Sequence, residues 1–407
     1  MSKFLRNFFI LVVIILLMMA FSSSYSALNL DNLAYVLAIG IDTSTTNKLK
    51  VSFQFSKASS PSESGTTEKT PTFVNTVEAS SISNAINLMN GYMGKELNMS
   101  HCKVIIFSEN FAKQGIAKEI YTLINDTQVR PSANIIIAKC DSNYYIEETK
   151  PQLENLIAKY YEILTDSGKH TGYVPNATIG DFFNSLVCDT CEPYAILGGI
   201  NNESSQNPST IDSQKDYIIK ANESSISGET AFENIGVAVF KDDKLVGELN
   251  ALETISFLSI RNQIDNFLIS IPDPDNSNSY IDIYVTPTKS TSIKIDTSNG
   301  SPYVKIKAKF TGRIYSMETN SNYLDANRLN DISKYCDSYL ESIFSDYLYK
   351  TSKEFKSDIN GFGKFALSNF LTTKDFNNYR WLDTYRDSFF DVKIDTSVKS
   401  AMLLNET

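Results

Sequence analysis

Cys188-Asp-Thr-Cys191 is the one Cys-x-x-Cys in the chain, and its types and spacing could serve redox or metal chemistry. Zinc would need a second such pair. A redox dithiol wants its thiol at a helix N-terminus, where the pKa falls. Here the pair follows a predicted helix and precedes Glu192-Pro193, and Asp189 and Glu192 beside it oppose a thiolate. The expected state is a local disulfide between Cys188 and Cys191, or two plain thiols. Cys102, Cys140 and Cys336 lie on or beside apolar runs and read as small buried hydrophobes. The total of five is odd, so at least one thiol stays free. The two histidines offer little: His101 precedes a strand and His170 sits in a Gly-rich turn. HExxH, GxSxG, P-loop and dinucleotide fingerprints are missing from the sequence. The residues therefore point to no catalytic set, no metal and no cofactor. Asp242 and Asp243 form a carboxylate pair in a polar turn, read as a solvated tip and a candidate partner contact.

The elements that position these residues centre on Ile235 to Leu249, IGVAVFKDDKLVGEL. Two β-rich runs flank Lys241-Asp242-Asp243-Lys244, which predicts a hairpin with an exposed tip. Ile235, Val237 and Val239 should share one strand face. Gly247 marks a bulge or a close approach of backbone or partner. Asn250 and Glu253 form a cap-plus-three pattern that opens a helix.

Before the hairpin, Leu33 to Ile41 predicts a buried strand, and Leu49 to Phe55 alternates as a half-exposed return strand. Ser56 to Thr72 reads as a mobile loop. Helices are expected on Ile82–Met93, Ile116–Ile124 and Leu153–Leu164, with a short one capped by Thr178. Strands are expected at Lys103–Phe107 and Asn134–Ala138. After the hairpin, short strands follow at Phe267–Ile271, Tyr280–Val285 and Ser292–Ile295, then a long one from Tyr303 to Tyr315. Leu329, Ile332, Cys336, Tyr339, Ile343 and Tyr347 predict one helix of roughly 25–30 residues. Phe390 to Val398 alternates as a closing strand with one wet face.

The order implies an α+β protein with three mixed α/β domains, each a sheet with packed helices, the last holding the long helix. The expected boundaries are a signal or anchor segment 1–27, an N-terminal domain 28–200, a polar linker 201–216, a middle domain with the hairpin 217–300, and a C-terminal domain 301–407. With 407 residues, 42% hydrophobic and 21% charged, the chain is long enough for folded domains. Its net charge of −10 argues against nucleic acid and against electrostatic binding to anionic lipid. Lys3 and Arg6 precede an uninterrupted apolar run of 14 residues, Phe8 to Phe21. That run fits a signal peptide or an uncleaved anchor, and it places the body outside the cytoplasm.

Several segments together resemble one family. "DNLAYVLAIGID" (Asp31 to Asp42), "SHCKVIIFSENFAKQGIAKEI" (Ser100 to Ile120), "FKDDKLVGEL", "DINGFGKFA" (Asp358 to Ala366) and Trp381 are similar, in order, to segments of the Ger(x)C spore germination proteins. The resemblance implies a non-enzymatic C subunit of a germinant receptor. It would act with integral membrane A-type and B-type subunits in the spore inner membrane, where nutrients trigger germination. Two features depart from the family: the lipobox cysteine is replaced by FSSSY, so lipidation is not carried over, and Leu28-Asn29-Leu30 stands where the family has Arg-Glu-Ile before the first strand. Attachment then falls to the apolar segment or to the partners. The resemblance leaves direct germinant binding open. The alternative is an exported solute-binding protein that captures a small ligand between domains.

Overall fold

The computed structural model describes residues 3–22, 32–46, 48–57, 71–201, 218–224, 226, 231–274, 276–317 and 326–399. The expected mobile loop and polar linker fall largely outside these residues. Helix α1 (Lys3–Ser22) comes first, followed by strands β1 (Leu33–Thr43), β2 (Leu49–Ser56) and β3 (Thr72–Ala79). Then come α2 (Ile82–Met93), β4 (Glu96–Asn98), β5 (Val104–Ser108), α3 (Glu109–Ala112) and α4 (Ala117–Asn125). β6 (Asn134–Ala138) leads to α5 (Ser142–Glu148), α6 (Ile157–Ile163), α7 (Gly168–Thr171), α8 (Ile179–Leu186) and β7 (Tyr194–Ile200). The hairpin is β8 (Phe232–Lys241) and β9 (Lys244–Leu249), and α9 (Ala251–Ile260) follows it. β10 (Phe267–Asp273), β11 (Asn276–Asp296) and β12 (Tyr303–Met317) precede α10 (Ala326–Tyr349). The chain closes with α11 (Gly363–Ala366), α12 (Thr373–Tyr379), α13 (Trp381–Thr384) and β13 (Phe389–Lys399).

The fold is α+β, and the described strands gather in two sheets. The first runs β3-β2-β1-β5-β6-β7-β8-β9, with β4 paired to the start of β1. Its centre, β1-β5-β6-β7, is parallel, and both flanks are antiparallel. The second sheet runs β10-β11-β12-β13. The expected division at residues 201–216 therefore does not divide the sheets: the hairpin, assigned above to a middle domain, extends the first sheet. The reason lies in β8 itself. Val237 and Val239 share a face as expected, Ile235 is set off from them by a bulge at Gly236 (φ 104°), and Ala238 and Phe240 on the other face are buried too. A strand apolar on both faces belongs inside a sheet with elements packed against it, and β8 has β7 and β9 at its edges, α9 packed on it, and the Phe182 ring of α8 edge-on to Phe240 at 4.8 Å.

Other expectations shift for similar reasons. β2 is buried on both faces rather than half exposed, because β1 and β3 flank it and helices cover it. The Leu153–Leu164 stripe shortens to α6, with Leu153 and Leu156 exposed. The two short strands around Pro287 are one strand, β11, whose pairing with β12 slips at Pro287 where no N–H is available. Helix α9 carries the capping box in full: Asn250 Oδ1 accepts from Glu253 N, and Glu253 Oε2 accepts from Asn250 N, both at 2.9 Å. It is buried on nearly every side, because it packs on β8 and β9 of one sheet and on β11, β12 and α10 of the other. A single apolar core runs through both sheets. Among the described residues, no helix is long and apolar enough to cross a membrane.

Candidate interaction site at the hairpin

The hairpin turn is not a free tip. Asp242 takes a left-handed φ of 53° and is exposed, as is Lys244, but Asp243 is half-buried. Asp243 Oδ2 accepts from Ala117 N at 3.2 Å, and its carbonyl accepts from Ile116 N at 3.1 Å. Helix α4 begins after Ile116, which has no side-chain oxygen to cap it, so Asp243 supplies the cap from 126 residues away. Gly115 makes the approach feasible. Its φ is 114°, and a Cβ there would stand 2.5 Å from Asp243 Oδ2. On its other side the turn is held by Glu192, whose Oε2 accepts from Asp242 N at 2.7 Å.

Glu192 is buried. Burial pushes its carboxyl up to about 7, against the hydrogen bond from Asp242 N and with the Asp242 charge adding to the rise. Its backbone N donates to Asp358 O at 3.0 Å, which ties β7's approach to the segment after α10. Asp358 is fully buried, and burial raises its carboxyl to about 6. Its two oxygens accept from Phe362 N (3.1 Å), Gly363 N (3.0 Å) and Trp381 Nε1 (2.8 Å). The α10 helix continues as a π-helical stretch, Lys350–Phe355. Phe355 then lies against Gly247, where a Cβ would meet the ring at 2.1 Å. This is the close approach that Gly247 signalled, made by the same chain.

Cys188 and Cys191 are free thiols with sulfurs 3.0 Å apart, and no bond joins them. Burial acts to raise the Cys188 thiol. Hydrogen bonds from Cys191 and Thr190, and the Lys364 ammonium, outweigh it and bring the thiol below its ordinary value. Cys191 is pushed up to about 12, by burial first and then by its bond and proximity to Cys188. The expectation that Asp189 and Glu192 would suppress a thiolate is thus corrected. The Glu192 carboxyl is turned to the hairpin, and Lys364 comes in from α11 instead. Burial likewise lifts Cys102, Cys140 and Cys336 to about 12. Of the histidines, His101 is exposed and meets the Tyr35 ring edge-on, and His170 Nδ1 lies 3.4 Å from Asn266 Nδ2. Among the described residues no group of three or more His, Cys, Asp or Glu could hold a metal.

Two open clefts flank the hairpin. One, of about 410 Å³, is lined by Asp189, Asp242, Phe376, Arg380, Trp381 and Asp383, among others. The other, of about 450 Å³, lies beyond the carboxyl ends of β5 and β6 and carries Lys113, Lys139, Lys220 and Lys350. Those ammoniums are matched by carboxylates: Lys139 and Lys220 on Glu248 (3.3 and 3.4 Å), Lys350 on Glu253 (2.8 Å), and Lys113 on Glu109. The structure thus brings Asp242 and Asp243 together with Cys188 and Cys191 through Glu192. It adds Asp358 and the paired lysines, which sequence reasoning did not single out, and gives Glu192 the role of holding the turn rather than that of a neighbour to the thiols. Only Asp358 carried a signal, as the carboxylate opening a Gly-x-Gly segment.

Comparison with known proteins bears on the same segments. The family descriptions "Spore germination protein N-terminal domain" and "Spore germination B3/ GerAC like, C-terminal" match residues 26–197 and 235–402. The chain belongs to the Ger(x)C family of spore germination proteins. Spore germination protein KC of Bacillus subtilis (strain 168) is 22% identical over 388 residues, covering 92% of this chain and 91% of that protein. Spore germination protein GerQC of Bacillus cereus is 19% identical over 302 residues, 74% of this chain and 75% of the relative. The crystal structure of the GerBC protein matches with a TM-score of 0.51 at 17% identity, over 88% of this chain and 96% of that one. That likeness supports the α+β fold. The chain's role is accordingly germination-related, and its setting is the spore.

Proposed function

We propose that this chain is the C subunit of a membrane-bound germinant receptor, required for nutrient-triggered germination and acting by assembly rather than catalysis. The observation that carries the reading is the ordered match of both family domains across the chain, with a relative named for germination over nine-tenths of its length. Its partners are the integral membrane A-type and B-type subunits, and its body faces away from the cytoplasm. The site chemistry agrees with an assembling role. The carboxylates of Asp243, Glu192 and Asp358 are used to join elements of the chain. The flanking clefts are open and lined by paired charges, unlike the largely apolar, enclosing walls of a small-molecule site.

Attachment to the membrane is assigned to α1. Phe8, Phe9, Ile10 and Leu11 are consecutive and all exposed, so apolar surface faces every side of that helix. The test is to delete the gene in the spore former and complement it with the intact chain. Germination in nutrient should fail on deletion and return on complementation, and the tagged chain should co-purify with both membrane subunits. Normal nutrient germination without the gene, in a strain lacking paralogous receptors' C subunits, would overturn the reading.

A further inference from the structure

Alternate residues of β12 face away from the core, and those exposed are Tyr303, Lys305, Lys307, Lys309, Arg313 and Tyr315. The register extends this face across the second sheet. Lys294 stands opposite Lys305, and Lys289 opposite Lys309, on β11. Lys393 stands opposite Lys307, and Lys399 opposite Arg313, on β13. All eight are exposed. Like charges directly opposite one another destabilise a sheet, yet four such pairs recur here. Carboxylates on the face, Asp282, Asp296, Asp391 and Asp395, number half the cations, and one is taken by Lys309 in a 2.6 Å ion pair with Asp395. The chain as a whole carries −10, so this is a local reversal of its charge. Exposed rings mark both ends of the face: Tyr303 beside Phe389 at one, Tyr315 at the other.

We propose that this face of the second sheet lies on an anionic lipid surface, with its lysines among the headgroup phosphates and its rings at headgroup level. The inference rests on the membrane-associated reading above. An acidic peptide would be held in a groove or along a strand edge. Here the cations spread over three adjacent strands, and the clefts described above are lined by other residues. A plane of phosphates matches such a surface, and aromatic side chains favour the interface. Anionic headgroups also relieve the four like-charge pairs. The overall acidity, which argued against lipid at the level of composition, is screened beyond about 8 Å at physiological salt, so the local face governs contact.

The test reconstitutes the full chain in phosphatidylcholine vesicles with and without phosphatidylglycerol, with flotation reporting attachment. A water-soluble amine-acylating reagent is added, and modification of Lys305, Lys307 and Lys393 is read by mass spectrometry. Lys118, exposed on α4, is the control. Modification of the three lysines should slow several-fold with phosphatidylglycerol at low salt and recover at high salt, with Lys118 unchanged. The combined change Lys305→Glu, Lys307→Glu and Lys393→Glu should leave thermal melting intact. It should also abolish the phosphatidylglycerol dependence, read at Lys294 and Lys309. Equal rates in both lipids, with the chain floating, overturn the proposal while leaving attachment standing. Failure to float in either lipid overturns the attachment reading and this inference with it. Slowing by soluble polyglutamate but not by phosphatidylglycerol assigns the face to an acidic polypeptide and overturns the lipid.

Discussion

Asp243 and Glu192 take their character from contacts made across a long stretch of chain, and Cys188 takes its own first from Cys191 and Thr190 beside it, with Lys364 of α11 adding to them. Asp243 caps α4 from another element, so Asp243→Ala should cost about 0.5–2 kcal/mol, the range for losing an N-cap. Chemical denaturation would read this, and Asp243→Asn should restore most of it. Charge reversal at Asp243 is then not the silent surface change that a solvated tip implied, whereas Asp242, exposed, remains close to one. Glu192 has its folded pKa raised from 4.5 to about 7, so the folded state holds the proton more tightly than the unfolded chain does. Its contribution is full below pH 4.5 and is lost as pH rises through 7. Melting temperature should therefore fall over that window, with Asp358 acting in the same direction between 3.8 and about 6. Glu192→Gln keeps an acceptor for Asp242 N. It should flatten the Glu192 part of the slope and stabilise at pH 8 by about 1–3 kcal/mol. For the thiols, iodoacetamide at pH 7.5 should alkylate Cys188 well before the other four, since only its thiol is lowered. Peptide mapping would show it, and first modification at Cys140 would contradict it. The Asp243 and Glu192 couplings could not be read from neighbouring residues. Asp189 and Glu192 adjoin the cysteines in sequence, but the fold turns Glu192 away and brings Lys364 in.

At the scale of elements, periodicity was a sound guide wherever one face alone is buried. β12 and β13 alternate cleanly, and α10 spans 24 residues with Ile332, Cys336 and Tyr347 inward, as the spacing predicted. What periodicity could not show is how α10 closes the sheet. β13 is an edge strand, and the N–H groups of Ile394, Thr396 and Val398 find no further strand. They donate instead to Glu341 Oε1 (3.0 Å), Asp337 Oδ1 (2.7 Å) and Ser333 Oγ (3.0 Å) on α10. Helix residues four apart rise about 6 Å, and strand residues two apart about 6.6 Å, so an antiparallel helix keeps pace with the strand. The sheet edge is thereby blocked against pairing with another chain. Asp337→Ala would leave the Thr396 N–H without its partner, a cost of about 1–3 kcal/mol by denaturant titration. Asp337→Asn, which keeps an acceptor oxygen, should recover most of it. The polar stripe Ser333-Asp337-Glu341 was visible in the sequence, but at that level a polar stripe reads as solvent-facing.

For the whole molecule, the stretch expected as a boundary, 201–216, lies between the two family matches but does not divide the two sheets. A long polar stretch after β7 looked like a divide, yet β8 and β9 pair back onto β7 and carry α9, which packs on both sheets. Phe240 and Ala238, apolar on the face opposite Val237 and Val239, were the residues that signalled an internal strand. The consequence is cooperative coupling between halves that composition alone would separate. The chain's one tryptophan, Trp381, is buried beside Asp358, and Asp358 is tied to Glu192 at the foot of β7. Its fluorescence therefore reports the seam where the C-terminal segment meets the first sheet. Val239, fully buried in β8, lies in that sheet rather than in the segment that carries Trp381. Val239→Thr puts an unmatched hydroxyl in the core at a cost of about 1–3 kcal/mol. If the two sheets unfold together, the substitution should lower the denaturation midpoint seen by Trp381 fluorescence and by far-ultraviolet circular dichroism equally, with the two curves superimposed. If the sheets unfold as separate units, the fluorescence midpoint should stay near its parent value while part of the dichroism transition moves to lower denaturant. The second outcome would show that α9 and the Asp358 loop join the halves without coupling them.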